Sequence, residues 1–119
     1  MKSLKIRQNI FGENHPDVAM SLLNLANLYH VIRKTGKAEE LYLSSLKIYE
    51  GIFGENHYNV AMSSYNLSLF YIDQINMTDL AIIYAKKAFE IVNGLFGEAH
   101  PQTVEYYQHY KRVILLILK

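Results

Sequence analysis

The chain has 119 residues, half of them hydrophobic, with 12 Lys plus Arg against 11 Asp plus Glu and no cysteine. That length suits one domain with material for a continuous core. The near-neutral balance, without a basic run, carries no electrostatic footprint for nucleic acid or an anionic membrane, and the lack of thiols excludes disulfides, thiolate metal sites and cysteine nucleophiles.

Met1 to Phe11 sets Lys2, Lys5 and Arg7 among apolar residues, without the hydrophobic region of a secretory leader. Ser3-Leu4-Lys5-Ile6 reads like Ser45-Leu46-Lys47-Ile48, so the first 14 residues are expected to be the latter half of a helical pair. Phe11-Gly12-Glu13-Asn14-His15 then returns as Phe53-Gly54-Glu55-Asn56-His57 and as Phe96-Gly97-Glu98-Ala99-His100, at offsets of 42 and 43 residues. Self-similarity at such a period marks stacked repeats, none able to bury its apolar face alone.

After His15, Pro16 suits a first helical position, where a missing amide proton costs nothing. Leu22, Leu25, Ala26 and Tyr29 follow at helical period, matched in the next copy by Ser64, Leu67, Ser68 and Tyr71. Gly36 is expected in the turn that follows. A second helix carries Ala38, Leu41, Tyr42, Ser45, Leu46, Tyr49 and Ile52 and ends at Gly54, an expected left-handed cap. Its counterpart runs through Ala81, Tyr84, Ala85, Ala88, Phe89, Val92 and Phe96 to Gly97. Tyr29 to Ala38 is nine steps and Tyr71 to Ala81 ten, which places the extra residue in the second turn. Ala26, Ser68, Ala38, Ala81, Ser45 and Ala88 are small residues at expected helix crossings, where large neighbours interlock.

The last copy drifts after Pro101-Gln102. Lys111 stands where Ala26 and Ser68 stood, so the final helix is expected to pack differently or to act as a cap. Val113 to Leu118 is an unbroken apolar run that cannot face a single neighbour, and it falls far short of the ~20 residues of a membrane span. The whole reads as one repeat domain over 1–119: a half repeat 1–14, repeats 15–56 and 57–99, and a terminal helix 100–119.

These features resemble a tetratricopeptide repeat. Leu22…Leu25-Ala26…Tyr29 stands where that family has its first-helix series, and Ala38 and Ser45 stand at its second-helix small positions. Phe11-Gly12-Glu13-Asn14-His15-Pro16-Asp17-Val18-Ala19 with Ala38-Glu39-Glu40-Leu41-Tyr42 is similar to the longer repeat of kinesin light chains and nephrocystin. Tyr58 departs from the pattern by replacing the proline of the second copy. The resemblance implies an all-α, right-handed superhelical solenoid of antiparallel helix pairs, with about six helices.

It also implies that the first helix of each pair lines a concave binding face. The residues expected there are Leu23, Asn24, Asn27 and His30, then Tyr65, Asn66, Leu69 and Asp73, then Gln108, His109 and Arg112 in the last helix. Asn24 and Asn66 share one register position, and an amide both donates to and accepts from an extended peptide. Leu23 and Tyr65 occupy places where a carboxylate-clamping groove has lysine. A partner segment with aromatic or aliphatic anchors therefore fits better than an acidic tail.

Other chemistry is sparse. His15, His57 and His100 lie one repeat apart and cannot converge on one ion; each is expected to hold a loop at a helix start. His30 and His109 read as solvated or groove-lining. No phosphate loop, nucleophile elbow or HExxH occurs. The expectation is a non-catalytic adaptor or scaffold, without metal or cofactor, that binds a peptide segment or a neighbouring subunit. The alternatives are a structural subunit of a large cytoskeletal or ciliary assembly, and an enzyme accessory or small-molecule sensor. The expected partner is a protein, not nucleic acid, with self-association or a larger complex through the terminal helices. The expected setting is cytoplasmic, with cytoskeletal or ciliary association as its variant.

Overall fold

The computed structural model of the protein describes residues 15–118. The expected half repeat and its Phe11–Asn14 signpost lie outside the described residues. Among those described there are five helices and no strand: α1 Pro16–Val31, α2 Thr35–Phe53, α3 Tyr58–Ile72, α4 Thr78–Phe96 and α5 Pro101–Leu118. The chain divides into two compact units, Met1–Gly54 and Glu55–Lys119.

In the first unit α1 packs against α2. His15 opens α1 in an extended conformation, and its Nδ1 accepts a hydrogen bond from the Asp17 amide at 3.0 Å. That bond satisfies one of the amides a helix start leaves without a partner, and Pro16 removes another. Ala19, Ala26 and Ala38 are fully buried, so the two helices meet through small residues. The Ser45 hydroxyl donates to the Ala19 carbonyl at 2.8 Å, a cross-link that needs close helix approach.

The turn is tighter than the sequence suggested. Gly36 already lies inside the first turn of α2, and the left-handed residue is Arg33, at φ 66°. Three residues, Ile32–Lys34, join α1 to α2, whereas Asp73–Met77 join α3 to α4 and place Asn76 at φ 64°. Asparagine tolerates that region because its short polar side chain can bond locally. Arg33 has no such help and sits there because so short a connection demands it. Gly54 and Gly97 end α2 and α4 at φ 81° and 85°, but with ψ 179° and 168°. This is the extended positive-φ region open essentially to glycine alone, not the left-handed helical cap expected from the sequence.

In the second unit α3 packs on α4 and α4 on α5. His57 caps α3 as His15 caps α1, accepting from the Asn59 amide at 3.0 Å, so Tyr58 replaces proline without loss of the cap. His100 does the same for α5, accepting from Gln102 at 3.1 Å. The three recurring histidines are thus helix caps. Helix α3 buries Val60 and Ser63 on one stripe and Ala61, Ser64, Ser68 and Tyr71 on the next. Helix α5 buries only the first kind of stripe: Thr103, Tyr106, His109 and Val113. The Thr103 hydroxyl donates to the Val92 carbonyl at 3.2 Å and fixes that face on α4. Val104, Tyr107 and Lys111, at the places of Ala61, Ser64 and Ser68, are exposed. Of the terminal apolar run, Val113 is fully buried and Leu115 to Leu118 are exposed.

Candidate functional site

On α1, the candidate residues Asn24, Asn27 and His30 recur every third residue along one side, the first two exposed and His30 half-buried. Asn27 is not simply a groove amide, because its Oδ1 accepts a hydrogen bond from the hydroxyl of Tyr42 on α2. Tyr42 is 1% exposed, and His30 stands edge-on to its ring at 6.5 Å. Asn27 and His30 therefore share a wall with the buried tyrosine, while Asn24 projects from the helix surface. Leu23 corrects the sequence reading. At 3% exposure it belongs to the core and offers nothing to a ligand.

On α3, Asn66 is half-buried, and its Nδ2 donates to the Met62 carbonyl one turn earlier at 3.1 Å. An amide has two N–H donors and a twice-accepting oxygen, so this bond leaves it further capacity. Leu69 is exposed, and Asp73 is the exposed C-cap of the helix. Tyr65 is committed to packing: its ring stacks on Tyr106 at 4.3 Å, nearly parallel, and meets the edge of His109 at 4.9 Å. Burial raises the Tyr65 phenol pKa, Glu105 raises it further, and Arg112 partly offsets both.

On α5, Gln108 and Arg112 are exposed, but His109 is a second correction. It is 2% exposed and its Nε2 lies 2.8 Å from the Ser68 hydroxyl. It occupies the register position of Asn24 and Asn66, nine residues after the capping histidine. Its environment is inverted because α5 lays that position against Tyr65 and Ser68 of α3. Sequence reading also missed Tyr106, buried beside Tyr58 and Tyr65, whose phenol burial pushes far above the ordinary value. The spacing Thr103, Tyr106, His109, Val113 carried that signal, as one continuous helical stripe.

One further concavity lies between α4 and α5, about 480 Å³ in volume, with Phe89, Val104 and Tyr107 as its apolar wall and Glu98, Gln108 and Lys111 as its polar groups. Nothing in this set pairs a nucleophile with a base. Among the described residues no group of three or more His, Asp or Glu side chains stands where it could hold a metal ion, and no helix is long and apolar enough to cross a membrane.

The comparisons agree with this geometry. The sequence profile of the tetratricopeptide repeat family matches residues 1–50. The crystal structure of BtubC (BKLC) from P. vanneervenii is similar, with a TM-score of 0.83 and 27% sequence identity over 92% of this chain. Residues 1–50 thus carry the tetratricopeptide repeat pattern, and the fold is similar to that of BtubC. The repeated Phe-Gly-Glu signposts resemble those of the longer, kinesin light chain-like repeats. The chain spans 44% of the BtubC chain. No curated protein sequence matches it. Tetratricopeptide repeats are in general protein-interaction scaffolds without catalytic activity of their own.

Proposed function

We propose that this protein is an adaptor whose first helices, α1 in one unit and α3 in the other, each hold a segment of another protein. The observation that carries this reading is the matched pair of amides, Asn24 on α1 and Asn66 on α3, at one register position. Neither belongs to the buried core, and Asn66 keeps hydrogen-bonding capacity beyond its own helix. Asn27 and His30 flank Asn24 on α1, and Leu69 and Asp73 flank Asn66 on α3; Leu23 and His109, being buried, are not contacts. The mixed apolar and amide character favours a segment with aliphatic or aromatic anchors. The test is capture of partners by the tagged protein, followed by titration of the shortest binding segment against Asn24→Ala and Asn66→Ala. Weakened binding by both variants, with unchanged thermal stability, supports the adaptor; unchanged affinity contradicts it.

A second reading is that the chain is a structural element of a larger assembly, in a cytoskeletal or ciliary setting. The exposed Leu115, Leu116, Ile117 and Leu118 favour it, since apolar side chains grouped on a surface mark interaction sites. Replacing Leu115 and Leu118 by glutamate separates the two: it releases an assembly partner and leaves peptide binding by α1 and α3 intact.

A further inference from the structure

His109, Ser68 and Ala81 join α5, α3 and α4 at one buried point. The Ser68 hydroxyl lies 2.7 Å from the Ala81 carbonyl and 2.8 Å from His109 Nε2. A hydroxyl has one proton, and a carbonyl can only accept. The Ser68 proton therefore goes to Ala81, and His109 must donate from Nε2. That assigns the tautomer: Nε2 carries the hydrogen and Nδ1 is bare. Nδ1 is itself buried and has no hydrogen-bond partner.

The groups around the ring define what a second proton would meet. From α3 the ring faces Tyr65, whose flat side is also held by Tyr106. From α4 the junction contributes the Ala81 carbonyl, already engaged through Ser68. Along α5 the Arg112 charge bears on His109, and Glu105 bears on Tyr65. A proton on Nδ1 would thus create a buried cation without an acceptor, under the field of another cation.

We propose that the Ser68–His109 pair is a proton-sensitive latch: neutral His109 ties α5 to the α3–α4 hairpin, and protonation at Nδ1 favours the state in which α5 has let go. The released ring sees water and titrates in the ordinary histidine range, whereas burial and then Arg112 lower the pKa of the latched ring. The latched state binds fewer protons, so the latch is at full strength above the ordinary value of 6.5 and weakens as pH falls below it.

The test is amide hydrogen exchange over residues 101–118 of the full chain between pH 7.5 and 5.5, corrected for the intrinsic pH dependence and referenced to residues 35–53. Imidazole nitrogen NMR is recorded on the same samples. The opening constant of α5 should rise about tenfold across that interval, the amount one proton taken up on release allows. In His109→Gln, which can still donate to Ser68 but cannot titrate, the rise should vanish; in His100→Asn, which keeps a non-titrating cap on α5, it should persist. A rise that survives in His109→Gln overturns the latch. If His109→Gln leaves α5 open at every pH, the wild-type chain decides alone. There, an Nδ1–H tautomer, or an imidazole that titrates without a parallel change in α5 exchange, overturns it equally.

Discussion

Ser45 on the second helix of its pair donates to the carbonyl of Ala19 on the first, while Ser68 on a first helix donates to the carbonyl of Ala81 on the second. The same kind of cross-link is built twice, in opposite directions. Each bond requires backbones close enough for a hydroxyl to reach a helical carbonyl. Small residues supply that proximity: Ala19, Ala26 and Ala38 in one pair, Ala61, Ala81 and Ala85 in the other, all essentially fully buried.

Removing the Ser45 hydroxyl tests the cross-link in isolation. Ser45→Ala deletes a buried hydrogen bond without opening a large cavity, so it should cost about 1 kcal/mol of stability. Urea denaturation followed by circular dichroism measures this. No loss would mean that packing alone holds the pair.

Overfilling the same crossing is a harsher change. Ala38 is fully buried where α2 approaches α1, and Ala38→Leu should destabilise by about 1–3 kcal/mol. A neutral result in the same denaturation experiment would show that the helices can part at little cost.

The glycines make a prediction of opposite signs. A Cβ at Gly54 would meet nothing within 4 Å, yet its positive φ with extended ψ strains any other residue. Gly54→Ala should therefore lose about 1–3 kcal/mol through torsion alone. Gly51, helical and equally unobstructed, should gain about 0.5–1 kcal/mol on replacement by alanine. Melting temperatures of the two variants, moving apart, check both.

Histidine is an unusual helix cap, and the structure uses it three times. His57→Ala should cost about 0.5–2 kcal/mol, as loss of a cap does, while His57→Asp should retain most of it. Equal losses for both would assign the imidazole a packing role instead.

The helix pairs were legible because their evidence is periodic. Small residues recur opposite large ones, glycines close the second helices, and the Phe-Gly-Glu signposts set the register. Local backbone demands were less visible. Nothing in the Arg33 side chain announces a left-handed conformation; it follows from the length of the connection, and Gly36 drew attention to the wrong place. The candidate contacts split on the same ground. Asn24 and Asn66 keep the exposure or half-exposure their register implies. Leu23 and His109 do not, because burial depends on which neighbours a helix acquires. In α5 the stripe Val104, Tyr107, Lys111 is exposed and the stripe Thr103, Tyr106, His109, Val113 is buried; Lys111 at the place of Ser68 and the spacing of the buried four both hinted at it.

Amide hydrogen exchange of the chain, alone and saturated with the shortest segment of a captured partner, tests the adaptor reading most directly. The account predicts slowed exchange in residues 16–31 and 58–72, with affinity reduced roughly tenfold or more in the Asn24→Ala/Asn66→Ala double variant. Protection confined to residues 35–53 and 78–96, with affinity unchanged in the double variant, would contradict it.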